Sequence, residues 1–201
     1  MRKTWMIVPA FVCAALIVGC SKAPEAEIQA ANAALDSARL AEASEYAPQA
    51  LTQAEDAMAA LEAELKVQEG RFGFFRSYDE AKQKANDAQA AAETALADAK
   101  VAREQARTDA ANAIEQARSL IREASELLTA APTGKGTAVD VAALRADLQA
   151  AAATLVEAEA AQSAAQYKVA NAKATAALTG AQTVKTAVET ATQMRRASSR
   201  S

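Results

Sequence analysis

The 201-residue chain contains no histidine, two cysteines, one tryptophan, four prolines and six glycines. Without imidazole, neither a Ser–His nor a Cys–His nucleophile can be assembled. A zinc or transition-metal site would lack its usual nitrogen ligand, and both cysteines, Cys13 and Cys20, lie within the first twenty residues. Net charge is −3, without the basic stripe expected of a nucleic-acid-binding chain. Gly134-Lys135-Gly136-Thr137 lacks the spacer and second glycine of a phosphate-binding loop, so it reads as a turn between helices. Carboxylates fall singly, as in Ala54-Glu55-Asp56-Ala57, which is the pattern of a solvated helix face. A catalytic acid pair needs two carboxyl groups facing each other across a cleft. The expectation is a protein that is not an enzyme and takes no cofactor, metal or nucleic acid.

What is present begins with an export signal. Arg2 and Lys3 precede an uncharged apolar run, Met6 to Val18, that is short for a membrane span of about 20 residues. Leu16-Ile17-Val18-Gly19-Cys20 resembles the bacterial lipobox. That resemblance implies a signal peptide over 1–19, cleaved after Gly19, and a palmitate-type acylated Cys20 with a short linker over 20–23. Two or three acyl chains hold a protein stably where one is marginal. An uncleaved N-terminal anchor is the alternative; both place the rest of the chain outside the cytoplasm at a membrane. Ser21, rather than Asp, after the cysteine favours the periplasmic face of the outer membrane. Loss of the leader leaves 20 basic and 25 acidic residues and no free thiol.

The remainder is rich in alanine, the strongest helix former. Its few prolines and glycines punctuate it into helices over about 24–44, 48–69, 77–129 and 140–194, followed by a disordered basic tail over 195–201. Pro48 suits a first helical turn. Ser77-Tyr78-Asp79-Glu80 has the form of a capping box. Ala81, Ala85, Ala88, Ala92, Ala95, Ala99, Ala102 and Ala106 are spaced alternately by four and three. After one stutter, Ala110, Ala113, Ala117, Leu120, Ala124 and Leu127 resume the pattern, which is that of a heptad seam. Leu144, Leu148, Ala151, Leu155, Ala158, Ala165, Val169, Ala172 and Ala176 form a second stripe. The predicted fold is all-α: one elongated, antiparallel, three-layer helical bundle or coiled-coil rod over 24–194. In it the first two helices share one layer end to end, and the third and fourth fold back in turn. Turn positions then set Tyr46, Val101 and Tyr167 in one layer, with the tyrosines as space-fillers.

Three of the four phenylalanines, Phe72, Phe74 and Phe75, crowd into one turn flanked by Arg71 and Arg76. Two readings stand. In one they plug the thin end of an alanine bundle, beside Val184, Val188 and Met194. In the other they form an exposed patch that contacts an envelope partner. The same register sets Cys20 and Pro132–Gly136 at the end opposite the phenylalanine turn. Contact between that turn and the anchoring bilayer is then expected only if the rod lies flat.

Pro24-Glu25, the Ala-Arg pair ahead of Tyr46-Ala47-Pro48, Ser77-Tyr78-Asp79-Glu80-Ala81 and the alanines that follow together resemble a family of bacterial lipoproteins. It is a helical domain family of unknown function with a Y-A-P motif, often joined to cell-wall-binding modules; the likeness covers roughly Pro24 to Ala106. The alanine heptads are also similar to those of the major outer-membrane (murein) lipoprotein, which is linked to the wall through a terminal lysine. This chain ends Arg200-Ser201, so an envelope protein or non-covalent wall contact is the expected partner, besides the membrane. The implied function is a non-enzymatic structural or adaptor lipoprotein held through Cys20. The alternative is a helical protein that binds lipid or lies on the membrane surface. The seam can close within or between chains, which leaves oligomeric state open.

Overall fold

A computed structural model describes residues 22–131 and 141–198. Among these the chain is all-α: six helices pack against one another, and no strand occurs. They are α1 (Glu25–Leu40), α2 (Ala43–Tyr46), α3 (Pro48–Glu69), α4 (Asp79–Ala130), α5 (Val141–Ser163) and α6 (Tyr167–Ser198). A single 3-10 turn, Gly73–Phe75, separates α3 from α4.

The 52-residue α4 organises the molecule. Its first half receives α1, α2 and α3, and its second half receives α5 and α6; the two groups meet where the start of α6, at Tyr167 and Lys168, touches α2. Alanines at helical spacing make the first contact: Ala81, Ala85, Ala88, Ala92, Ala95 and Ala99 are all fully buried. They face Ala31, Leu35 and Ala38 of α1 and Leu51, Ala54, Met58 and Leu61 of α3. Beyond Ala110 the seam takes larger residues, Ile114 and Leu128, packed on Leu148, Leu155, Val184 and Val188. Burial moves from 113 to 114 and from 127 to 128, so the contact face rotates slightly past the stutter.

Cross-helix pairs set the directions. Lys82 bonds Glu27 at 2.8 Å and Arg103 bonds Glu42 at 3.0 Å, so α1 advances along α4 in the same sense. Arg39 bonds Glu55 at 2.8 Å, and the end of α3 returns to the start of α4 through Gln68 and Ser77. The first two expected helices therefore lie side by side against α4, and are not joined end to end in one layer. The reason is a reversal between Leu40 and Pro48, where Glu42 adopts a left-handed conformation (φ 61°) and the four-residue α2 intervenes.

The single helix expected over 140–194 is also interrupted. Ala165 is left-handed (φ 59°), its N–H donates to the Gln162 carbonyl at 3.1 Å, and the Gln166 N–H donates to Ala161 at 2.9 Å. These bonds are those of a Schellman cap, which usually carries glycine at the left-handed position. The break resets the helical phase. Buried positions beyond it are Ala170, Ala174, Ala177, Ala181, Val184 and Val188, whereas Val169, Ala172 and Ala176 of the expected stripe are exposed. The α6 helix continues through Arg195 and Arg196 to Ser198, where a disordered tail was expected.

Candidate functional site

Gly70 to Ser77 connects α3 to α4, and its geometry is built around one buried polar side chain. Gln68 occupies the position in α3 that continues the Leu61 and Leu65 stripe, and is 3 % exposed. Its Oε1 accepts from the Ser77 backbone N–H at 3.1 Å, and its Nε2 donates to the Glu64 carboxylate at 2.7 Å. Arg76 closes the loop from the other side: its Nε donates to the Arg71 carbonyl at 2.9 Å and its Nη2 to the Glu69 carbonyl at 3.1 Å. Within the turn, the Phe75 N–H donates to the Phe72 carbonyl at 2.8 Å.

The backbone is thus tied inward while the rings project. Phe72, Phe74 and Phe75 are 85 %, 90 % and 75 % exposed, among the most exposed large apolar side chains of the described residues. The end-plug reading does not hold. Val184 and Val188 are buried against Ala124 and Leu128, at the far half of α4, and Met194 is exposed. The plug fails because α6 runs along the second half of α4 in the same sense, as Arg103 over the Tyr167 ring and Lys185 bonded to Glu123 at 2.7 Å together show.

The capping box also does not form. Ser77 Oγ bonds the Asp79 carboxylate at 3.1 Å, no side chain caps α4 at Tyr78, and Glu80 pairs forward with Lys84 at 3.3 Å.

The start of the described chain lies beside this turn. Lys22, Pro24 and Glu27 line one shallow hollow together with Arg76, Ser77, Tyr78, Asp79 and Lys82. The hydrogen bond from Lys82 holds the Glu27 carboxyl below its ordinary pKa and the Lys82 ammonium above its own. The register that set the beginning of the first helix opposite the phenylalanine turn is therefore reversed: α1 runs with α4, so both begin at the same end. Cys20, the leader and Gly134–Thr137 lie outside the described residues.

A second cluster sits where the two breaks meet α4. Arg103 stacks over the Tyr167 ring at 5.4 Å, and Lys168 over the Tyr46 ring at 5.2 Å. The Lys168 ammonium also donates to the Glu45 carbonyl, and burial raises the Tyr46 phenol pKa. Tyr46 and Tyr167 do share a level, as expected, but Val101 faces solvent. Sequence reasoning missed Gln68, Arg103 and Lys168. Only Gln68 left a signal, as a polar residue in step with an apolar stripe. Comparison with known protein families, with curated proteins and with solved structures finds no match to this chain.

Proposed function

We propose that this chain is a non-enzymatic lipoprotein of the bacterial envelope. Its acylated Cys20 holds a helical body on the periplasmic face of the outer membrane, where the body acts as a structural spacer or adaptor. The observation that carries this reading is the course of α4. Its 52 residues begin beside Lys22 and lead away from that end without a break. At ~1.5 Å per residue they span about 78 Å, with helices packed along both halves. An elongated rod of antiparallel and parallel helix layers, with a mainly alanine seam, is the shape this course favours. A rod of that kind separates what binds its two ends.

Mass spectrometry of the N-terminal peptide from envelope-extracted protein tests the anchor. The expected species begins at Cys20 and carries diacylglycerol and an N-acyl chain, and Cys20→Ser accumulates as uncleaved precursor. A mature chain without lipid would overturn the anchoring. Small-angle scattering of the detergent-solubilised protein tests the spacer; a largest protein dimension well under ~80 Å would overturn it.

A further inference from the structure

Three aromatic rings held out from a hydrogen-bonded turn need a reason, because exposing them in water is unfavourable. The start of the chain supplies one. Lys22 shares a hollow with Arg76 and Ser77, and Cys20 lies two residues earlier, within about 7 Å of extended backbone. Whatever membrane receives the beginning of the chain is brought to the same end of α4 as Phe72, Phe74 and Phe75.

We propose that the Phe72–Phe75 turn is a second membrane contact, inserting its rings into the bilayer that holds the chain's N-terminal anchor and setting the helices end-on to it. The proposal rests on the anchored reading above for the bilayer it names. Two features suit the turn to lipid. Its carbonyls at Glu69, Arg71 and Phe72 and the Phe75 N–H are bonded within the turn, which lowers the cost of leaving water. The charges around it balance, with Lys22, Arg71, Arg76 and Lys82 against Glu27, Glu69, Asp79 and Glu80. The rings therefore carry the interaction, and contact with lipid should depend little on headgroup charge or salt.

The test places a single indole at the turn. Phe74→Trp is combined with Trp5→Phe, and a control carries Val101→Trp, at an exposed site about 35 Å further along α4. The processed protein is reconstituted into phosphatidylcholine vesicles containing bromine-labelled acyl chains. The proposal expects several-fold stronger quenching at position 74 than at position 101, with a blue-shifted emission. Adding Phe72→Ser and Phe75→Ser lowers the insertion equilibrium constant by on the order of tenfold per fully buried ring. Circular dichroism should be unchanged, since the rings support no packing. Equal quenching at both positions, as for a body lying flat, overturns the proposal, as does no quenching at 74. Mass analysis of Cys20 on the same samples separates the two readings. Acylated protein unquenched at 74 keeps the anchor and loses the tip. Quenching at 74 with unmodified Cys20 keeps the tip and loses the acyl anchor.

Discussion

Glu27 and Lys82 form a 2.8 Å ion pair that joins the first turn of α1 to the first turn of α4. Its importance is positional. Together with Arg103–Glu42 it fixes α1 and α4 as running in the same sense, and so brings Lys22, where the described chain begins, to the phenylalanine turn.

The pair makes a pH prediction with two limbs. The Glu27 carboxyl is held below its ordinary value, chiefly by the Lys82 hydrogen bond. Its contribution is present above the unfolded carboxylate range of ~4.3 and is lost as pH falls through the depressed folded value. The Lys82 ammonium is held above its ordinary value by the same bond. Its contribution is present below ~10.4 and is lost as pH rises through the raised folded value. Lys82→Met should flatten both limbs of the melting temperature against pH. At neutral pH the change should be no more than about 2 °C, because the lysine is mostly exposed.

Gln68 is the buried polar fastener of the turn, so Gln68→Leu leaves the Ser77 N–H without its acceptor. The expected loss is about 1–3 kcal/mol in urea unfolding. Hydrogen exchange should speed at Ser77 and leave α6 amides unchanged. Uniform acceleration across the chain would show that the fastener is not local.

Ala165 holds a left-handed conformation that costs a non-glycine residue roughly 1–2 kcal/mol. Ala165→Gly removes that strain at the expense of more unfolded-state freedom, about 0.4–1 kcal/mol. A net stabilisation of up to about 1 kcal/mol is expected by thermal or urea unfolding. Destabilisation would mean that α5 and α6 form one helix in solution.

The alanine seam predicts an asymmetry between neighbours. Ala88 is fully buried and Ala90, two positions away, is exposed. Ala88→Leu should cost at least about 1–3 kcal/mol by forcing α1 and α3 off α4, and Ala90→Leu should stay within ~0.5 kcal/mol. Equal effects would contradict the packing face assigned to α4.

Much of this was legible in one dimension. Alanine content and the four-three spacing from Ala81 to Ala99 specify a long helix and which face it buries, because period and propensity are local properties. Pro48 and the glycines around the phenylalanines mark turns for the same reason. The reversal at Glu42 and the Schellman cap at Ala165 left no comparable mark. Each uses an ordinary residue in the left-handed region, where tertiary contacts outweigh a penalty that sequence punctuation would otherwise avoid. Heptad phase projected through Ala165 consequently named Val169, Ala172 and Ala176 as interior when they face water.

The sequence by itself determined an all-helical chain, its alanine seam and the single aromatic turn, since these follow from propensity, periodicity and composition. Only the tertiary structure decided that α1 and α3 lie side by side on α4, that α5 and α6 occupy its other half, and that Lys22 and the start of α1 share one end with the aromatic turn. The physical reason is that an alanine seam is nearly uniform along its length. Its small side chains accept many registers and either direction, and specific long-range pairs such as Glu27–Lys82, Arg103–Glu42 and Lys185–Glu123 select among them.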